Sequence, residues 1–271
     1  MPELPEVETT RRGIRPALVG HPVTGVVVRN ARLRLPVPSD LEAHMSGHAL
    51  RDVRRRAKYL LLDFDGGSLI VHLGMSGSLR VVSRSAPVGS HDHVDVLFGC
   101  QVLRLRDPRR FGLLTWQDGD PLDHPLLAHL GPEPLEPGFG GAWLHQVTRG
   151  LRIPIKQALM DSKRVVGVGN IYASESLFRA RVHPLTPAGR IGLARYRRLA
   201  DAIQETLTDA IRAGGSTLRD YVGGDGRAGY FQQHYFVYGR DGESCRVCAA
   251  LIDRRVVAQR ATFWCPRCQR R

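Results

Sequence analysis

The sequence predicts an α+β fold in two domains, and three observations carry that prediction. Seven short apolar or alternating runs between residues 23 and 116 read as antiparallel β structure, a sandwich or a barrel. Three prolines within Gly131–Gly138 then break the pattern, and beyond them the apolar spacing turns helical. Four cysteines in two Cys-x2-Cys pairs close the chain.

The elements follow in order. Residues 5–19 predict a helix, with Val7, Ile14 and Leu18 on one stripe, Pro5 at the first helical position, and Glu6 and Glu8 in an acidic first turn. The strands are Val23–Val28, Tyr59–Phe64, Leu69–Leu73, Leu79–Val82, His93–Phe98, Val102–Leu105 and Leu113–Trp116, punctuated by Gly, Pro, Asp and Ser. The clearest helix spans about Ile191–Ala213. Tyr196, Leu199, Ile203, Leu207 and Ala210 line one face, Arg198, Asp201 and Glu205 another, and Gly214-Gly215 stops it. Residues 223–229 are rich enough in glycine to predict a mobile loop.

Charge narrows the function. The chain of 271 residues carries a formal charge of +13, and its pI is about 10.3. That is the footprint of a protein that binds a polyanion, most simply nucleic acid. An anionic membrane surface would need a basic amphipathic helix, and none stands out. Only Lys58, Lys156 and Lys163 are lysines, so 36 of the 39 basic residues are arginine, and each lysine hints that a compact ammonium is wanted there. With no signal peptide and no run of about 18 apolar residues, the expected location is the cytoplasm, or the nucleoid of a bacterium.

In a reducing compartment, paired cysteines point to metal. Cys245-x2-Cys248, sixteen residues, then Cys265-x2-Cys268 offers four thiolates on two tight knuckles, the pattern of one closed structural Zn²⁺. From Cys245 to Arg271 seven arginines face a single acid, Asp253, so the clip reads as a nucleic-acid contact device that depends on zinc to fold. Cys100 lies in a strand context and is expected to pack.

The opening residues carry chemistry. If Met1 is trimmed, Pro2 offers a secondary amine. An α-amino group has a pKa of about 7.7–8.0, so part of it is a neutral nucleophile near pH 7. Glu3 stands beside it as a proton donor or acceptor. Further on, Val166-Gly167-Val168-Gly169-Asn170 is a glycine turn before a helix that Asn170 could cap, which suits phosphate binding but also a plain helical corner. His72–Gly77 and Asp107–Gly112 are strand-edge turns. Met75 and Phe111 there could be core residues, or wedges for a base stack beside an arginine pair.

Taken together these blocks resemble the formamidopyrimidine-DNA glycosylase family from residue 2 to about 270. The carrying segments are Pro2–Thr9, Arg55–Leu60, His72–Gly77, Asp107–Gly112, Val166–Ser176, Gln259–Phe263 and the four cysteines, with no departure at a key motif position. The resemblance implies an N-terminal β-sandwich capped by the first helix (1–131), a linker (132–142), a helical domain with a helix–two-turns–helix motif (143–236) and a zinc-finger β-hairpin (237–271). DNA would lie in a basic cleft.

The resemblance also assigns roles. Pro2 would attack C1′ of the damaged nucleotide, Glu3 would shuttle protons at the sugar, Lys58 would serve β-elimination and contact phosphate, and Arg260 would serve δ-elimination and grip phosphates around the lesion. Met75, Arg109 and Phe111 would fill the void left by an everted base, with Arg109 pairing the estranged cytosine. Lys156 and Asn170 match DNA-phosphate contacts, and His91 and Arg152 likewise. The segment 217–230 would cover the everted base and be disordered without DNA. Implied partners and cofactors are damaged double-stranded DNA, one structural Zn²⁺, no nucleotide cofactor and a monomeric state. The expected substrates are 8-oxoguanine opposite cytosine and formamidopyrimidines.

Three other readings compete. The related endonuclease VIII type shares the proline, the glutamate and the zinc hairpin but prefers oxidised pyrimidines. Leu4 and the intact Met75, Arg109, Phe111 set argue for the purine branch. A non-catalytic zinc-finger DNA-binding protein explains the charge but not the N-terminus. An RNA-associated zinc ribbon leaves the wedge motifs idle.

Overall fold

The computed structural model describes residues 1–216 and 231–270. The expected cover loop, 217–230, lies outside the described residues. The chain divides into two compact units: Met1–Ala128 with Ala213–Tyr230, and His129–Arg212 with Phe231–Arg271.

The first unit opens with α1 (Leu4–Leu18), β1 (Gly25–Val28) and the short α2 (Leu41–Met45). The strands β2 (Asp52–Arg56), β3 (Tyr59–Phe64), β4 (Gly67–His72), β5 (Ser78–Ser83), β6 (Asp92–Phe98), β7 (Gln101–Arg106) and β8 (Leu113–Asp118) follow. They form two four-stranded antiparallel sheets, ordered β1-β6-β7-β5 and β2-β3-β4-β8. One core joins the sheets. Leu60, Leu62, Leu69 and Val71 from the second sheet pack with Val94, Val96, Leu103 and Leu105 from the first. Of the two expected architectures this is the sandwich. Val7, Ile14 and Leu18 of α1 enter the same core, so the helix is held by the stripe its sequence showed.

Three details differ from expectation. β2 was not anticipated, because Asp-Val-Arg-Arg-Arg has one apolar residue. As an edge strand it needs only Val53 inside, and pairing with β3 satisfies the backbone groups on its inner side. Helix α1 starts one residue earlier than predicted: Glu3 is the cap, in a reciprocal capping box with Glu6, and Pro5 sits one position in. Cys100 does not pack in a strand. It is exposed in the β6–β7 turn, where Gly99 at φ 65° reverses the chain.

The second unit contains α3 (Gly141–Val147), α4 (Ile155–Leu159), α5 (Asn170–Arg179), α6 (Leu193–Arg212) and a hairpin of β9 (Asp253–Val257) and β10 (Arg260–Trp264). The α6 stripe is buried as expected: Tyr196, Leu199, Ile203, Leu207 and Ala210 are fully enclosed. Helix α3 lies so close to α6 that a Cβ on Gly141 would stand 2.4 Å from the Arg197 backbone, which only glycine permits. The hairpin packs on α5 through Phe178, Val237, Ile252 and Phe263. Asn170 does not cap α5: Gly169 occupies that position and Asn170 is the first helical residue, so its side chain is available to another partner. Among the described residues no helix is long and apolar enough to cross a membrane.

Candidate active site and zinc knuckle

Pro2 and Glu3 are buried at the start of α1. The Glu6 carboxylate holds this end in place. Its Oε2 accepts from the Glu3 backbone N–H at 2.8 Å, and its Oε1 accepts from the Ser216 N–H, also at 2.8 Å. Glu6, read in the sequence as helix-start charge, is therefore an anchor for the N-terminus. Burial lowers the pKa of the Met1 amine below its usual 8.0; Glu3 and Glu6 oppose the shift, and Lys58 and Arg109 reinforce it. Those four side chains thus act electrostatically on the Met1 amine, one residue before Pro2.

Lys58 occupies the two-residue β2–β3 turn, which Ala57 makes possible by adopting φ 55°. His72 is buried, and its Nδ1 accepts from the Gly74 N–H at 3.0 Å. Burial, with help from Lys58 and Arg34, pulls its pKa down to about 4, so the ring is neutral at physiological pH. A neutral imidazole adds no repulsion to the cations nearby.

The two strand-edge turns form one assembly. Met75 and Phe111 are 42% and 45% exposed, so neither is a core residue. The Arg109 guanidinium stacks over the Phe111 ring with Cζ 5.0 Å from its centroid. Beneath them Asp107 is fully buried. Its carboxylate accepts from Ser76 Oγ at 2.9 Å, the Arg109 N–H at 3.2 Å and the Gly112 N–H at 2.7 Å. One aspartate thereby ties the Met75 turn to the Arg109–Phe111 turn. Gly74, at φ 63°, allows their contact, since a Cβ there would meet the Phe111 carbonyl carbon at 2.4 Å. His91 is half-buried, and its carbonyl accepts from the Asp107 N–H at 3.0 Å. The motif drew attention to Arg109 and Phe111; the signal for Asp107 was its place at the head of the same block.

Lys156, Asn170, Arg260 and Arg152 belong to the second unit. Lys156 is buried. Its Nζ donates to the Ala261 carbonyl at 2.8 Å and to Thr262 Oγ1 at 3.1 Å, joining α4 to β10. Asn170 Nδ2 lies 3.5 Å from the Tyr238 hydroxyl, and its buried Oδ1 has no hydrogen-bond partner among the described residues. Arg260 is exposed at the start of β10, beside a two-residue turn in which Ala258 and Gln259 both take positive φ, the hallmark of a type I′ hairpin. Arg152 is exposed in the loop between α3 and α4. Sequence reasoning passed over Glu175. Its fully enclosed carboxylate accepts from the backbone N–H groups of Phe236, Val237 and Tyr238 at 2.8–3.0 Å, and burial raises its pKa. It fastens α5 to the segment that leads into the zinc knuckle.

Cys245, Cys248, Cys265 and Cys268 come together with all four sulfurs within 4.8 Å of one another. Cys245–Cys268 and Cys248–Cys265 are 3.9 and 3.4 Å apart. Four thiolates at 2.3 Å from a tetrahedral Zn²⁺ would be about 3.8 Å apart, so the set fits the ion. Each knuckle turns a backbone N–H onto its first sulfur: Val247 onto Cys245 and Cys268 onto Cys265, both at 3.4 Å. The four positions are filled by protein, so zinc here is structural.

Three family models match in sequence order. They are the "Formamidopyrimidine-DNA glycosylase N-terminal domain" over residues 1–114, the "Formamidopyrimidine-DNA glycosylase H2TH domain" over 130–222, and the "Zinc finger found in FPG and IleRS" over 242–271. A curated formamidopyrimidine-DNA glycosylase of Aromatoleum aromaticum is 69% identical over 271 residues, covering all of both chains. The chain belongs to the formamidopyrimidine-DNA glycosylase family. Solved structures of the family agree. The MutM (Fpg) protein of Thermus thermophilus is 40% identical with a TM-score of 0.90, covering 99% of this chain and 98% of that one. The Lactococcus lactis Fpg in complex with a Fapy-dG containing DNA is 33% identical with a TM-score of 0.91, covering 99% and 100%.

Proposed function

We propose that the protein is a bifunctional DNA glycosylase and abasic-site lyase of base excision repair, acting on 8-oxoguanine opposite cytosine and on formamidopyrimidines. The observation that carries this is the placement of a buried Pro2 beside the buried Glu3 at the start of α1, where the charges of Glu3, Glu6, Lys58 and Arg109 all act on the amine of the preceding residue, Met1. The relatives' names and the Fapy-dG complex of the Lactococcus enzyme support the lesion class.

In this reading Met1 is removed and the Pro2 nitrogen is the nucleophile. Its lone pair forms a bond to C1′ as the bond from C1′ to the damaged base breaks, and the base leaves with a proton. Loss of the amine proton and opening of the sugar, with Glu3 protonating the ring oxygen, leave an iminium. The iminium is the electron sink. Removal of a C2′ proton expels the 3′ phosphate, and a second elimination expels the 5′ phosphate. Lys58 serves the proton transfers and Arg260 holds the departing phosphates. Hydrolysis of the imine frees Pro2. A secondary amine is suited to this task because it gives a charged iminium without losing a second proton.

Met75 and Phe111 enter the stack where the lesion has left, and Arg109 offers donors to the estranged cytosine. Their exposure supports that role, since a wedge must be accessible before DNA arrives. Asn170, with an unsatisfied amide oxygen that leaves its orientation open, together with His91 and Arg152, contacts phosphates. Lys156 holds the hairpin that carries Arg260 and adds its charge to the phosphate-binding face there. The zinc knuckle fixes the base of that hairpin. The protein acts as a monomer on damaged duplex DNA, in the cytoplasm and on the bacterial nucleoid.

Incision of a lesion panel tests the reading. The expected result is a one-nucleotide gap with phosphates at both ends on 8-oxoguanine opposite cytosine, and little cutting at thymine glycol. Preferential cutting at thymine glycol would contradict the lesion assignment.

A further inference from the structure

The seven arginines of the C-terminal segment look like one basic device in sequence, but the structure spreads the described ones along the hairpin and the knuckle, with Arg254 and Arg255 on β9 between the two ends. Arg260 flanks the hairpin turn. Arg267 and Arg270 lie at the zinc base, beyond the end of β10. Five strand steps separate Arg260 from Cys265, roughly 17 Å. Helix α5 has the same polarity. Asn170 starts it, and Arg181 follows its other end, a helix length of roughly 14 Å away.

At that far end Arg181, Arg195, Arg267 and Arg270 surround an open groove of about 490 Å³, floored by Cys248 and Cys268. Among the described residues none of these four guanidiniums is in an ion pair or a side-chain hydrogen bond. The neighbouring groove sets the boundary. It shares Arg181, but it also holds Asp201 and Glu205, and Arg179 there is paired with Glu205 and Asp209. The groove at the zinc base, by contrast, is lined by four arginines and no carboxylate. Zinc with four thiolates carries a net negative charge that offsets part of theirs, but no arginine among the described residues hydrogen-bonds to a sulfur, so the N–H donors of the guanidiniums remain free for an outside anion.

We propose that this groove is a second nucleic-acid site, which takes the phosphates of a duplex other than the one held at Asn170 and Arg260. The groove is broad, shallow and lined by cations, unlike the enclosed apolar pockets that hold small ligands. Guanidiniums around an open channel match the repeated charge of a phosphodiester backbone. The inference rests on the DNA-repair reading above. Its consequence is direct transfer: the protein can contact a new duplex before releasing the old one.

The test chases a labelled duplex carrying an uncleavable abasic-site analogue with unlabelled undamaged duplex. Arg181 and Arg195 are substituted, because they lie outside the zinc ligand loops and outside the catalytic set. For the wild type the release rate should rise with chase concentration. In R181Q/R195Q the rise should flatten, while single-turnover excision on a short lesion duplex and zinc content stay unchanged. The log–log salt slope for second-duplex binding should fall by about 2, the value for two lost phosphate contacts. R181K/R195K should retain most of the rise. Release independent of chase in the wild type, or an unchanged rise in R181Q/R195Q, would overturn the site. So would loss of zinc in the variant, which would make the arginines structural, or a polyglutamate chase as effective as DNA. Wild-type incision at 8-oxoguanine is measured alongside. Its absence overturns the glycosylase reading and this inference with it, whereas intact incision with chase-independent release removes this inference alone.

Discussion

Ser76 Oγ donates to the buried Asp107 carboxylate at 2.9 Å, and this bond couples the turn carrying Met75 to the turn carrying Arg109 and Phe111. Asp107→Ala would leave Ser76 Oγ and the Arg109 and Gly112 N–H groups without their acceptor. The expected cost is about 3 kcal/mol, since several hydrogen bonds to a charged group are lost together. Ser76→Ala should cost about 1 kcal/mol. Urea unfolding of both variants checks the ranking, and equal effects would contradict the hub role of Asp107.

Arg109→Ala should relax discrimination by the base opposite the lesion. Arginine over Phe111 is poised to meet an orphaned base, and its loss removes donors without disturbing the Asp107 hub, whose bond to residue 109 is to the backbone. Rates on 8-oxoguanine opposite each of the four bases measure this. An unchanged preference for cytosine would count against the assignment.

Cys265→Ser should lose zinc and DNA binding together. Cys265 is buried among Phe178, Val237 and Phe263, so the metal and the packing of the hairpin on α5 depend on each other. Zinc content and a duplex titration on the same sample decide it. Tight binding by zinc-free protein would refute a role for the hairpin.

His72 gives stability a defined pH dependence. Its folded pKa of about 4 lies below the ordinary 6.5, so the unfolded chain takes up a proton that the folded chain refuses. Nothing is lost above pH 6.5. As pH falls from there toward 4 the folded state is progressively penalised, by about 2 kcal/mol at pH 5. His72→Gln should remove that component. Urea unfolding at pH 7 and pH 5 compares the two proteins, and an identical acid loss in both would contradict a buried neutral His72.

Most of the fold was legible in the sequence because it follows periodicity. The stripe of α1, the α6 face and the seven apolar strands are patterns of burial, and burial sets both sequence and structure. What escaped was held by particular polar bonds instead. The edge strand β2 hides because only Val53 faces the core. Glu175 reads as one more helical acid until its three backbone donors, sixty residues away, are in view. Glu6 looks like a helix-start charge and is also an anchor for Ser216. The cysteine spacing stood out because metal geometry constrains it, whereas the gathering of Arg181 and Arg195 beside Arg267 and Arg270 needs the third dimension.

The central claim is that the Pro2 nitrogen attacks the sugar. Borohydride trapping on a duplex with one 8-oxoguanine opposite cytosine, followed by peptide mapping, tests it most directly. The expected result is a covalent adduct on Pro2, sharply slowed formation in Pro2→Gly, and DNA binding unchanged in that variant. An adduct mapped to Lys58 or another lysine, or trapping by Pro2→Gly at the wild-type rate, would contradict it.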